Sequence, residues 1–224
     1  METNLWAIRE IFQPKSYINR LSIKEDLSIK PFMRNVSVLV VLFVISSFLF
    51  SMTGYRTEGI AAELSKEPNS YIETMQWLHG FGMILKGIVY PLFYLAVTTL
   101  AFYLFFKEIH IKILLYIGQY FLLFMYLYQV VQLLLFHYWG IPVISSPFSL
   151  GIVMQIVTDQ SFVINLSSYV NLFYLAGVLL IIMLINQQTE RRALHTSLYI
   201  IGIHLLLALI GAGLSMINVD ALLL

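Results

Sequence analysis

Short clusters of basic residues alternate along this chain with long apolar runs, and this alternation constrains the fold more than any motif. Ten of the thirteen Lys and Arg residues lie in three places: the first 35 residues, Lys107 to Lys112, and Arg191–Arg192. The remaining loops carry more acids than bases. Loops rich in Lys and Arg stay on the cytoplasmic side of a membrane. The pattern therefore predicts a multi-pass membrane protein with a cytoplasmic N-terminus and an extracytoplasmic C-terminus.

The composition supports the same class. Of the 224 residues, 59% are hydrophobic and 11% are charged, whereas soluble domains have about 45–50% apolar and about 25% charged residues. A water-soluble core of this size could not bury so much apolar surface. Cysteine is absent, which excludes disulfides, thiolate metal sites and Cys nucleophiles.

Five apolar segments predict five membrane-spanning helices, at about 36–52, 81–106, 113–139, 166–186 and 194–217. The predicted fold is all-α: a polytopic membrane helix bundle over 36–224, preceded by a cytoplasmic amphipathic arm over 1–35. The segment 147–157 is too short to cross the bilayer and is predicted to be an interfacial or re-entrant helix on the outer side.

The arm is predicted to form two short helices on the membrane surface. Its apolar residues recur at helical spacing in LWAIREIF, and Pro14 suits the first turn of a second helix. Trp6 and Tyr17 suit the headgroup level. Candidate residues for interaction are Trp6, Phe12, Pro14, Lys15 and Tyr17. The alternative is a partly ordered cytoplasmic tail.

Lys86 is the one base that lies inside a predicted span. A cation at mid-membrane costs about 2.5–3.5 kcal/mol on insertion scales, so such a residue usually has a partner or a path to water. One interpretation is a lysine that extends to the outer interface. The other is a buried cation that pairs with Glu73 or Asp159 or holds a lipid phosphate.

Other polar residues lie in the third to fifth spans. Gln129, Gln132 and His137 in the third span, together with Lys86 and His204, are candidates for an intramembrane polar site. The alternative for these side chains, and for Asn171, is interhelical hydrogen bonding. No spacing supports a metal site, and we expect none.

Small residues recur every four positions in the fifth span. The pairs are Ala208 with Ala212 and Gly211 with Ser215. Small side chains at this spacing let two helices approach closely. The partner helix could belong to this chain or to another protein.

Enzyme signatures are not found in the sequence. It contains no His-Glu-x-x-His, nucleophile elbow or Walker loop. Asp and Glu are absent from the predicted spans, which argues against a carboxylate-coupled transporter. We expect a protein that is not an enzyme, uses no cofactor and binds no nucleic acid.

The arm contains the segment IREIFQPKSYINRL, in which Phe12, Pro14, Lys15 and Ile18 form an apolar–Pro–basic pattern ahead of the five apolar segments. A tight turn joins the second and third predicted spans. In these respects the chain resembles the bacterial branch of the Yip-type membrane domain family. The resemblance implies a protein of the bacterial cell membrane that associates with an ABC exporter protecting the cell against a toxic peptide.

We therefore expect a non-catalytic membrane partner or assembly factor that contacts the lipid bilayer and ABC exporter subunits. The alternative is a small transporter or lipid-binding membrane protein with a polar cavity around Lys86. The sequence leaves the oligomeric state open.

Overall fold

The computed structural model describes residues 14, 18, 29–53 and 69–215, apart from the side chains of 69–73, 75 and 76. Within these residues the fold is all-helical, as predicted. The α-helices are α1 (Lys30–Met52), α2 (Asn69–Phe105), α3 (Ile111–Trp139), α4 (Gly151–Val157), α5 (Ser161–Tyr169), α6 (Leu172–Asn186) and α7 (Ala193–Leu214), with a 3₁₀ turn at Val143–Ser145.

Four of the described helices are long and apolar enough to cross a membrane: α1, the Trp77–Phe105 part of α2, α3 and α7. This confirms the prediction of a membrane-embedded helical protein. The apolar helix α6 has only 15 residues, which extend about 22 Å at 1.5 Å per residue. The hydrocarbon core of a bilayer is about 30 Å thick.

The predicted fourth span, 166–186, is not one continuous helix. Helix α5 ends at Tyr169 and α6 begins at Leu172, with Val170 and Asn171 in non-helical conformation between them. The Leu150 N–H donates to the Val170 carbonyl at 3.0 Å, and the Leu172 N–H donates to the Phe148 carbonyl at 2.9 Å. The break is stable in apolar surroundings because the loop supplies these hydrogen bonds.

Other boundaries also differ from the sequence prediction. Helix α1 begins at Lys30, six residues before the predicted span at 36 and inside the predicted arm 1–35. Helix α2 begins at Asn69, twelve residues before the predicted span at 81. The predicted helix over 147–157 is shorter, because it begins only at Gly151. A Cβ at Gly151 would lie 2.7 Å from the Ile144 carbonyl oxygen, so a glycine lets α4 pack against the 3₁₀ turn.

Helices α1 and α2 form one closely packed pair, and α3 and α6 form another. Glycines let both pairs approach. A Cβ at Gly87 of α2 would lie 2.8 Å from the Val44 Cα of α1, and a Cβ at Gly177 of α6 would lie 2.8 Å from the Phe121 ring of α3. Helix α7 then packs on α5, α6 and α2.

The main hydrophobic cluster lies towards the ends of the helices joined by the turns 106–110 and 187–192, which we call the basic end. It includes Phe106, Leu114, Ile185 and Ile200, all fully buried. Ile18 of the predicted arm is helical and also fully buried in this cluster. Pro14 is helical and half-buried, while Trp6, Phe12, Lys15 and Tyr17 lie outside the described residues.

Candidate functional site

Lys86 lies on the exposed surface of α2. It is nine residues from Trp77, where the apolar part of the helix begins, or about 13 Å along the axis. The next residue, Gly87, faces α1. Of the two acids considered as partners, Asp159 is exposed in the turn between α4 and α5, and the side chain of Glu73 lies outside the described residues.

The polar residues of α3 have separate partners. Gln129 Nε2 donates to Ser47 Oγ of α1 at 3.1 Å. Gln132 is buried and its Nε2 donates to Ser146 Oγ in the loop after α3. His137 is exposed and its ring lies 4.9 Å from that of Tyr138. The contacts of the two glutamines fit the hydrogen-bonding alternative, and each of the three side chains has different neighbours.

His204 is the centre of a buried polar group that joins three helices, α2, α6 and α7. Its side chain is 2% exposed. Its Nδ1 lies 3.0 Å from Tyr174 Oη and 3.3 Å from Tyr94 Oη, and the Tyr174 hydroxyl donates to the His204 carbonyl at 3.1 Å. With the Tyr174 proton on this carbonyl, Nδ1 bonds to Tyr174 Oη when Nδ1 is protonated, and it can accept from the Tyr94 hydroxyl when it is not.

Aromatic rings enclose this imidazole. The Phe121 ring lies 4.9 Å and the Phe102 ring 5.8 Å from it, centroid to centroid. Tyr94 stacks on Phe121 at 5.2 Å, and Tyr174 meets Phe121 edge-on at 5.3 Å. We call these five residues the central cluster. It connects α2, α3, α6 and α7, so a change in any of the four helices must disturb the same group of rings.

The central cluster is suited to structural hydrogen bonding. Its polar atoms are two hydroxyls, one imidazole and one backbone carbonyl, and it contains no carboxylate. His204 Nε2 is buried and makes no hydrogen bond within the described part of the chain. The sequence prediction included His204 but missed Tyr94 and Tyr174, because residues 110 and 30 positions away give no local spacing signal.

Three of the four small residues predicted to pack, Ala208, Gly211 and Ala212, pack inside this chain. Ala208 and Ala212 are buried. A Cβ at Gly211 would lie 2.9 Å from the Tyr169 ring of α5. Ser215 is exposed, and its Oγ donates to the Ala212 carbonyl at 2.7 Å. Of the two alternatives for the partner helix, the structure supports a helix of this chain at Gly211.

An ion pair joins the two turns of the basic end, and sequence reasoning missed it. Arg191 Nε lies 2.8 Å from Glu108 Oε1, Arg191 Nη2 donates to Glu108 Oε2 at 2.9 Å, and Thr189 donates to Glu108 Oε1 at 2.9 Å. The guanidinium also lies over the Phe106 ring at 5.4 Å. Arg191 therefore connects the two turns in addition to any role in topology.

The same contacts set the charge state of Glu108. Partial burial alone would raise the pKa of this carboxyl group. Hydrogen bonds from its own backbone N–H and from Thr189, together with the charge and hydrogen bond of Arg191, outweigh burial and lower the pKa below its usual value. The ion pair is therefore formed at neutral pH.

The described residues contain no group of three or more His, Asp or Glu side chains placed to hold a metal ion. Comparisons with protein-family models, curated proteins and solved structures found no match to this chain.

Proposed function

We propose that this chain is a non-catalytic, five-span protein of the bacterial cell membrane that acts as a partner or assembly factor of an ABC exporter. In the proposed topology α1, α2, α3, the broken pair α5–α6, and α7 cross the bilayer. The basic end faces the cytoplasm and the C-terminus lies outside, in agreement with the charge bias of the loops. The exporter as partner, and protection against a toxic peptide, rest on the Yip-type resemblance.

One structural observation favours a partner protein over a transporter. The polar groups of the candidate site are divided among separate internal contacts: His204 with two tyrosines, Gln129 with Ser47, and Gln132 with Ser146. A transport path needs polar groups that converge on one pathway. This bundle uses its polar groups to hold helices together.

Co-purification from the native membrane in mild detergent tests the proposal. The tagged chain should recover the permease and ATPase subunits of an ABC exporter, identified by mass spectrometry. Lys15→Glu should weaken recovery if the arm makes the contact. Arg192→Glu, on the same predicted side and with the same charge change, is the matched control and should leave recovery intact. Recovery of the chain alone from cells that express the exporter would refute the proposal.

The second candidate function is binding of an anionic lipid at Lys86. The observation that favours it is the exposed position of this cation on α2, about 13 Å along the apolar stretch, from which the long side chain can extend towards the headgroups and bind a lipid phosphate. Native mass spectrometry should then show retained phosphatidylglycerol that Lys86→Met loses and Lys86→Arg keeps. Equal retention by all three proteins would exclude this function.

A further inference from the structure

Helix α4 has one polar side chain, and the rest of its exposed surface is apolar. Its only polar side chain, Gln155, is bonded to the protein: its Nε2 donates to the Ile144 carbonyl at 3.0 Å, and its Oε1 accepts from Ser145 Oγ at 3.1 Å. Gly151, on the same side, packs against Ile144 and Ser168. Gln155 is exposed, so it lies at the edge of the side of α4 that packs on the protein.

The opposite side of α4 is apolar and uncovered. Ile152, Val153, Ile156 and Val157 span an arc of about 140° at 100° per residue, and they are 36%, 48%, 86% and 71% exposed. Contact with water would leave this whole surface hydrated, which is unfavourable in proportion to its area. An apolar environment must therefore cover it.

The position of α4 in the chain indicates which apolar environment this is. The sequence from 113 to 158 contains no Asp, Glu, Lys or Arg, so no charge separates α4 from the apolar surface of α3. Helix α3 ends with Tyr138 and Trp139, each 68% exposed, and Tyr and Trp concentrate at the membrane–water interface. Only residues 140–150, which carry no charge, separate this aromatic end of α3 from α4, and this favours lipid as the covering environment.

We propose that α4 lies in the interfacial region of the leaflet at this end of the bundle, with Ile152, Val153, Ile156 and Val157 inserted among the lipid acyl chains. This is a second kind of membrane contact, parallel to the surface, and goes beyond the proposed function because it does not depend on any exporter. Through the hydrogen bonds of Phe148 and Leu150 to the α5–α6 break, α4 also couples the lipid surface to the fourth span.

Site-directed spin labelling tests this proposal directly, because the natural chain has no cysteine. Ile156→Cys is spin-labelled in the full chain and reconstituted into phosphatidylcholine–phosphatidylglycerol vesicles. Collision rates are then measured with oxygen, which concentrates in lipid, and with a water-soluble nickel chelate. Leu179→Cys, on the exposed side of α6, is the lipid control, and Asp159→Cys, three residues beyond Ile156, is the water control.

We expect the oxygen-to-nickel accessibility ratio at position 156 to be several-fold higher than at 159 and to approach that at 179. Val153→Cys provides a second position on the same side of α4 in case the label at 156 disturbs folding. A ratio at 156 and 153 equal to that at 159 would show that α4 faces water. Low accessibility to both reagents would show that a protein covers α4. Either result overturns the proposal.

Discussion

Replacing Gly87 by alanine should separate α1 from α2, and the structure allows the effect to be estimated. The new Cβ would lie 2.8 Å from Val44 Cα, 3.0 Å from the Phe43 carbonyl oxygen and 3.0 Å from Val44 N. All three are backbone atoms, so no side-chain rotation can relieve the contact. The shortest distance is about 0.6 Å below the 3.4 Å at which ordinary van der Waals contact begins.

Gly82 is the matched control, because it lies in the same helix and a Cβ there meets no atom within 4 Å. Alanine in place of glycine favours a helix by about 0.5–1 kcal/mol, and this contribution is common to both substitutions. Overpacking in a well-packed interior costs about 1–3 kcal/mol. Gly82→Ala should therefore be neutral or stabilising, and Gly87→Ala should have a free energy of unfolding lower than Gly82→Ala by about 1–3 kcal/mol.

Unfolding of the purified chain in mixed micelles, by titration with a denaturing detergent and with helicity as the signal, gives this difference. The comparison between two alanine variants removes the helix-propensity contribution from the measured value. If the two variants unfold at the same detergent fraction, α1 and α2 do not approach as closely as described, and the inferred role of Gly87 is wrong.

Three further predictions follow from the internal contacts. Tyr174→Phe should lower the free energy of unfolding by about 0.5–1.5 kcal/mol, because it removes the hydroxyl contacts to the His204 carbonyl and Nδ1 while Tyr94 Oη stays within reach of Nδ1. The exposed Tyr103→Phe should have little effect in the same titration. Glu108→Gln should destabilise the chain by less than about 1 kcal/mol at neutral pH, since the ion pair is largely exposed. Folding lowers the pKa of Glu108. Its contribution to the free energy of unfolding is therefore fully present above the unfolded-state pKa and is lost as the pH falls through the folded-state pKa. Melting curves of wild type and Glu108→Gln should converge at acidic pH, and a difference that stays constant with pH would contradict this. Gln132→Leu should increase hydrogen exchange at Leu150 and Leu172, because it removes the anchor of Ser146, whereas unchanged exchange there would show that the loop holds the α5–α6 break without Gln132.

Charge and hydropathy were sufficient to predict a helical membrane protein, because a segment can cross the bilayer when about twenty consecutive residues are predominantly apolar. They could not reveal the break at Val170 and Asn171, since apolar residues dominate the run 166–186 and the hydrogen bonds that stabilise the break involve Phe148 and Leu150. A local signal did exist: Asn171 precedes the apolar run, and its Oδ1 accepts from the Tyr174 N–H at 2.9 Å as a helix N-cap.

The sequence identified individual residues of the candidate site but not the contacts between them. Gln129, Gln132 and His204 were identified because polar side chains are conspicuous in apolar segments. Their partners were not identified, because Ser47, Ser146 and Tyr94 are ordinary residues whose roles depend on how the helices pack. Arg191 was interpreted through topology alone, and its pairing with Glu108 requires two turns, 83 positions apart, to meet.

The short length of α6 has a consequence for how the chain enters the membrane during synthesis. A 15-residue helix that extends about 22 Å cannot cross a 30 Å hydrocarbon core alone. The rest of the length needed to cross the membrane must come from α5. The backbone groups at the α5–α6 break form hydrogen bonds with Phe148 and Leu150, which are synthesised earlier. In the proposed five-span topology, the break in the fourth span is complete only once the preceding loop has folded back on it, so insertion and tertiary folding are coupled at this position.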